Sequence, residues 1–319
     1  MDDQDGIHSP AERPSLRTRL AGVELESPLV LASGILGVTA SLLARVARHG
    51  IGAVTTKSFS LEERPGHKSP TIVAFDHGFL NAVGLSNPGW EAATETIREY
   101  RTRSKVPIIA SVFGKTVEEY PLIAEKAAAA GPDLLEVNVS CPNVAAEFGA
   151  PFEADPKVLA TVTESVKRVA GKVPVAMKLS ANFGAIGRMA KVCEDHGADA
   201  ITAINTVGPG MLIDLNVKRP VLANKVGGVS GPCILPIAVR SVWEIRKAVK
   251  IPIIGTGGVG SAEDALQMIL AGATAVGIGS ALAFDGLESL PQINAGLERY
   301  LAGQGLSSLD AIRGAAHEP

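Results

Sequence analysis

Eight short apolar runs, each followed by a polar or glycine-rich loop and then an amphipathic segment, constrain this 319-residue chain more than any other feature. The runs are PLVLAS (28–33), IGAVTTKS (51–58), VPIIASV (106–112), LLEVNVS (134–140), PVAMKLS (174–180), AITAINT (200–206), IPIIGTG (251–257) and TAVGIGS (274–280). They lack strict apolar–polar alternation, as parallel strands covered on both faces do. Between them, ASLLARVARHG and AEKAAAAG end in glycine, which accepts the left-handed backbone that stops a helix. SAEDALQMILAG opens on a serine cap and carries Glu263 and Asp264 in its first turn, where exposed N–H groups favour negative charge. A further helix is expected over 235–249, packing through Trp243, Ile245 and Val249. Alternation of this kind predicts an α/β fold, a (β/α)8 TIM barrel, although a doubly wound open sheet shares many of the local signals. Two stretches break the compact spacing, 59–88 and 207–234. In a barrel these insertions follow the second and sixth strands and stand at the C-terminal face, where barrel enzymes bind substrates.

The expected division is a flexible tail over 1–18, one barrel domain over 19–308 and a frayed end over 309–319. The opening MDDQDGIHSPAERPS is acidic and polar, with no apolar core of the kind a signal peptide needs. No run of 18 apolar residues occurs, so no transmembrane span is expected. A net charge of -3, from 33 acidic and 30 basic side chains, supplies no global attraction to nucleic acid or an anionic membrane. Three cysteines, at 141, 193 and 233, have no C-x-x-C spacing. They fit a reducing cytoplasm and argue against a disulfide framework or an iron–sulfur cluster held by this chain. No metal site is expected.

Chemistry gathers at the strand ends. Lys57 and Lys178 end the second and fifth runs, Asn138 ends the fourth, and Asn205 with Thr206 ends the sixth. Two ammonium groups and two amides on one rim suit a planar, carbonyl-rich ligand and an anionic substrate. The glycine-rich pieces GGVSG (227–231), GTGGVGS (255–261) and VGIGS (276–280) allow a phosphate to approach main-chain N–H groups closely. They match neither the dinucleotide fingerprint nor the P-loop. Cys141, in NVSCPN, admits several readings: an inert buried thiol, a metal ligand, a nucleophile, or a thiolate poised as a proton acceptor. No histidine–cysteine cluster favours a metal, and His77 on the inserted loop is not paired with Cys141 by any pattern. Cys193 reads as helix packing and Cys233 as structural.

In combination, ASG at 32–34, TKS at 56–58, NAVGLSNPG at 81–89, VNVSCPN at 137–143, MKLS at 177–180, INTVGPGMLIDL at 204–215, NKVGGVSGP at 224–232, GTGGV at 255–259 and GIGS at 277–280 resemble the class 1 dihydroorotate dehydrogenases. The resemblance spans about residues 20–300 and is closest to the NAD-linked class 1B catalytic subunit. It implies a cytoplasmic FMN-containing barrel that oxidises (S)-dihydroorotate to orotate in pyrimidine synthesis. Cys141 would remove the C5 proton while C6 passes hydride to flavin N5. Lys57, Asn81, Gly84, Leu85, Asn138, Asn143, Asn205 and Thr206 would hold the substrate, with Ser140 as a supporting polar group. FMN would be held by Ala32, Ser33, Lys57, Asn138, Lys178, Ile204, Gly231, Gly257, Gly258, Gly279 and Ser280. A partner subunit carrying FAD and a [2Fe-2S] cluster would pass electrons to NAD, in a heterotetramer built on a homodimer of this chain. The competing readings are a fumarate-linked class 1A oxidase, a related dihydropyrimidine dehydrogenase module and a non-catalytic FMN-binding barrel. This chain differs from the class 1B pattern in a short NVAAEFGA loop after the cysteine, in DHGFL at 76–80, in Ala181 after MKLS and in VGIGS on the last strand.

Overall fold

A computed structural model describes residues 14–140 and 152–317. Eight parallel strands form the barrel: β1 (Leu29–Leu31), β2 (Val54–Thr55), β3 (Ile108–Val112), β4 (Leu134–Asn138), β5 (Val175–Leu179), β6 (Ala200–Ala203), β7 (Ile253–Thr256) and β8 (Ala275–Ile278). Each pairs with its sequence neighbours, and β8 pairs with β1. The ring closes through a parallel bridge between Val30 and Ala53, with Leu31 N donating to Ala53 O at 2.9 Å. The (β/α)8 barrel is therefore the fold, and the open-sheet alternative falls.

The strands are shorter than the apolar runs suggest. β2 ends at Thr55 and β6 at Ala203, so Lys57 and Asn205 lie just beyond their strands, whereas Asn138 and Lys178 stay within β4 and β5.

Helices α1 (Ala40–Ala47), α2 (Gly89–Arg103), α3 (Glu119–Ala128), α4 (Pro156–Val169), α5 (Ile186–Asp195), α6 (Leu235–Ala248), α7 (Ala262–Leu270), α8 (Ala281–Phe284) and α9 (Ser289–Gly303) complete the fold. The start of α7 is a capping box: Ser261 Oγ accepts from Asp264 N at 3.1 Å, and Asp264 Oδ2 accepts from Ser261 N at 3.0 Å. Such reciprocal bonding satisfies main-chain donors that a helix start otherwise leaves open. α6 covers 235–248, as its apolar spacing indicates, with Val249 as its C-cap.

Strand alternation divides the side chains into two sets. Leu135, Val137, Met177 and Leu179 face outward into the core shared with the helices. Val30, Ala53, Ile109, Leu134, Ala176, Ala200, Ile254 and Ala275 form an apolar layer at the barrel floor, plugged by Leu20 and Leu25. These two leucines come from a hairpin, Thr18–Leu20 with Val23–Leu25. One pleat further up the same strands, the inward positions become polar or charged: Ser111, Glu136, Lys178 and Thr202.

The two insertions build one structure. Ile72–Phe75 pairs with Gly78–Asn81, which pairs with Gly227–Ser230, which pairs with Val207–Gly210. Segments 59–88 and 207–234 thus share a four-stranded antiparallel sheet at the C-terminal mouth.

Of the expected tails, residues 1–13 and 318–319 lie outside the described residues, and the described parts of both ends pack against the barrel. Leu16 is buried, Ser15 N donates to Ser307 O, and Thr18 belongs to the floor hairpin. At the other end Leu309 and Ile312 are buried, Arg313 donates to Thr18 Oγ1 at 2.9 Å, and His317 stacks on Trp243. Apolar anchors spaced among polar residues hold these segments where composition alone suggests fraying. No helix among the described residues is long and apolar enough to cross a membrane.

Candidate functional site

The polar layer opens upward into a cavity at the mouth. Ala32, Ser33, Lys57, Asn138, Lys178, Ile204, Asn205, Thr206, Gly257, Gly258, Gly279 and Ser280 line it from the barrel; Asn81, Gly84, Leu85 and Gly231 line it from the insertions. The structure thus brings together on one cavity every expected site residue that it describes. Cys141 and Asn143 lie outside the described residues.

At the base, Lys178 Nζ lies 3.3 Å from Glu136 Oε1, with both side chains buried. Ser111 Oγ donates to the same carboxylate oxygen at 2.9 Å. Ser58 Oγ lies 2.8 Å from Ser111 Oγ and 3.0 Å from Ser33 Oγ, and Ser33 Oγ donates to Thr56 O. The Lys178 ammonium therefore enters the cavity as a held, partly compensated charge rather than a solvated one.

The amides are fixed by one hydroxyl. Asn138 Oδ1 accepts from Ser140 N and Ser140 Oγ, each at 3.2 Å, and Ser140 Oγ accepts from Asn205 Nδ2 at 3.1 Å. Asn205 Oδ1 in turn accepts from Thr206 N at 2.9 Å. Asn138 Nδ2 is thereby turned away from these contacts, as a donor for a ligand carbonyl. From the rim sheet, Asn81 Nδ2 donates to Gly228 O at 3.3 Å. A Cβ at Gly228 would meet Thr206 Oγ1 at 2.1 Å, so only glycine lets the rim sheet close over that threonine.

The far end is a glycine cradle. Gly258 has φ +79°, and a Cβ there would meet Leu235 N, at the first residue of α6, at 2.7 Å. The turn after β7 therefore passes directly against a helix N-terminus, an arrangement suited to an anion. Phe79 of the rim sheet stacks on Phe284 of α8 with ring centroids 4.7 Å apart, bracing the rim over this end.

Several groups escaped the sequence reading. Asn87 is buried and clamps the Leu85 turn: its Nδ2 donates to Leu85 O at 2.9 Å, and its Oδ1 accepts from Gly89 N at 2.9 Å. Glu136 is the single carboxylate inside the run LLEVNVS, and that placement was a readable signal. Glu153 is buried just after the undescribed segment, accepting from Ser180 N at 2.7 Å and from Ser180 Oγ. Cys193 is buried, and burial pushes its thiol up to about 12, which keeps it neutral packing. Cys233 is exposed, so it does not fill the core as a structural thiol would. Among the described residues, no group of three or more His, Cys, Asp or Glu side chains could hold a metal ion.

Burial raises the Glu153 carboxyl from its ordinary 4.5 to about 7, outweighing the Ser180 hydrogen bonds that favour the charged form. The folded chain then binds this proton more tightly than the unfolded one. Its contribution to stability is greatest below pH 4.5, falls as pH rises toward 7, and levels off above that. Glu153→Gln removes the titration. Urea unfolding of variant and parent should diverge in the variant's favour by roughly 3 kcal/mol between pH 4.5 and 8. A difference that stays constant with pH refutes the assignment.

The dihydroorotate dehydrogenase family model matches residues 15–301. The chain is 44% identical over 303 residues to the catalytic subunit of dihydroorotate dehydrogenase B (NAD(+)) from Methanothermobacter thermautotrophicus, covering 95% of this chain and 99% of that one. It is 44% identical over 300 residues to the subunit of the same name from Methanosarcina acetivorans, covering 94% and 95%. With the Pyrococcus horikoshii subunit of that name it shares 44% over 302 residues, covering 94% and 97%. A barrel whose inward strand ends converge with two insertions on one cavity, matched along nearly its whole length, belongs to the dihydroorotate dehydrogenase family.

Proposed function

We propose that this chain is the catalytic subunit of an NAD-linked dihydroorotate dehydrogenase, oxidising (S)-dihydroorotate to orotate in pyrimidine synthesis in the cytoplasm. The observation that carries the reading is the shared cavity of Lys57, Asn81, Asn138, Lys178, Asn205 and Thr206, with a glycine cradle at one end. Its residues fit FMN. Gly257, Gly258, Gly279 and Ser280 suit the phosphate, in the position where barrels commonly hold one. Lys178, backed by Glu136, suits the carbonyl-bearing pyrimidine end of the ring system, whose acceptor atoms a positive donor favours. FMN, when bound, supplies the hydride acceptor.

The chain's own residues do the rest. Lys57 offers its ammonium to the substrate carboxylate. Asn138 Nδ2 and the Asn81 and Asn205 amides donate to ring carbonyls or accept from ring N–H groups. Because Ser140 ties Asn138 to Asn205, the substrate meets a preset arrangement, which lowers the entropic cost of orientation. Thr206 and the rim sheet exclude water from above. Cys141, directly after Ser140 in the chain, takes the C5 proton, and Asn143 adds a further ring contact.

NAD enters through a partner that carries FAD and a [2Fe-2S] cluster, on a homodimer of this chain. The chain's cysteines suit that division, since Cys193 is buried in a helix and Cys233 is exposed. Chain loaded with FMN and mixed anaerobically with (S)-dihydroorotate should lose its oxidised-flavin absorbance. Persistence of that absorbance in fully loaded protein overturns the substrate. Turnover with fumarate by the isolated chain, without NAD activity in a co-purified complex, overturns the NAD link.

A further inference from the structure

The barrel interior holds a carboxylate that the proposed chemistry leaves unused. Glu136 is 3% exposed and lies one pleat below Asn138, beneath the cavity rather than on its wall. Its Oε1 receives Lys178 Nζ at 3.3 Å and Ser111 Oγ at 2.9 Å. From Ser111 the contacts run on to Ser58 at 2.8 Å and Ser33 at 3.0 Å. An unbroken polar chain thus joins β5 to the end of β1. Lys178, Ser58 and Ser33 reach the cavity, whereas Ser111 and Glu136 lie below it.

Packing does not account for this arrangement. The layer beneath is filled by Val30, Ile109, Leu134, Ile254 and alanines, which shows that apolar side chains suit this interior. A buried ion pair is generally no more stabilising than apolar residues of similar volume. What the pair does change is the potential above it. A lysine alone would present a full positive charge in a low-dielectric site; a lysine against a carboxylate presents a dipole.

We propose that Glu136 is a positioning residue that sets how much of the Lys178 charge reaches the cavity and thereby holds down the reduction potential of the flavin bound there. This rests on the reading that FMN occupies the cavity. Reduction to the anionic hydroquinone takes up two electrons and one proton, leaving negative charge that uncompensated Lys178 would favour. Ser111 acts in the opposite sense, because its hydroxyl withdraws charge from the carboxylate.

The test is the two-electron midpoint potential of FMN-loaded protein, titrated with dithionite against a reference dye at fixed pH, with no dihydroorotate present. Glu136→Gln should shift the equilibrium toward reduced flavin by about tenfold or more, which is about 30 mV for a two-electron couple. Ser111→Ala, with both charges intact, should shift it the other way by about two- to fivefold. The glutamine variant decides the matter if it folds and binds FMN; otherwise the alanine variant does. A potential indistinguishable from the parent's in the deciding variant, or a shift of opposite sign, overturns the inference. Parent protein that binds no FMN overturns the cofactor reading and this inference together. Loaded parent that is not reduced by dihydroorotate overturns the substrate alone.

Discussion

Cys141→Ser should leave FMN bound and slow its reduction by dihydroorotate by about 10²–10⁴-fold, the range that positioned proton transfer contributes. Ser140 is fully buried, its N–H and hydroxyl donate to Asn138 Oδ1, and its hydroxyl accepts from Asn205. The chain therefore leaves β4 against two amides that line the cavity, and Cys141 is the next residue in the sequence. Serine nearly preserves the shape of cysteine but holds its proton far more tightly, so it fails as a base near neutral pH. Cys141 is absent from the proposed FMN contacts, and flavin retention is the expected control. Anaerobic stopped-flow reduction of the loaded variant provides the measurement. A rate equal to the parent's would remove Cys141 from the role of principal base.

The barrel was legible because each of its strands lies in a short, predominantly apolar run without strict alternation, as burial on both faces demands. The strand-end polar residues were legible for a related reason: Lys57, Asn138, Lys178 and Asn205 interrupt runs that otherwise have no polar purpose. The rim sheet was not legible. It pairs Asn81 with Gly228 across 147 residues, and nothing local in glycine-rich GGVS specifies that register. Glu136 was visible as a lone carboxylate in LLEVNVS. Its importance depends on Ser111 directly opposite it on β3 and on Lys178 of β5, neighbours that only the pairing of β4 with both strands supplies. The packing of the described parts of the chain ends was not legible, because their anchors, Leu16, Leu309 and Ile312, are single apolar residues in polar surroundings.

Lys178→Met should lower the stability of the flavin-free chain by about 3–5 kcal/mol, the cost of leaving a buried charge without its partner. Glu136 would retain the Ser111 hydrogen bond but lose the ammonium 3.3 Å away, with only 3% of its own surface exposed to recruit water as compensation. Adding Glu136→Leu should restore most of that loss, because the second change removes the uncompensated charge and leaves two apolar side chains of suitable volume. The two substitutions will therefore not be additive, as expected for residues in direct contact. FMN affinity should follow a different course. It falls in the single variant, which loses a positive group on the cavity wall, and it stays low in the double variant, where stability returns but the charge does not. Urea unfolding without flavin and fluorescence titration with FMN separate the two quantities. A double variant no more stable than Lys178→Met would show that Lys178 acts through packing rather than by neutralising Glu136. Recovery of FMN affinity in the double variant would remove the ammonium from the cofactor site.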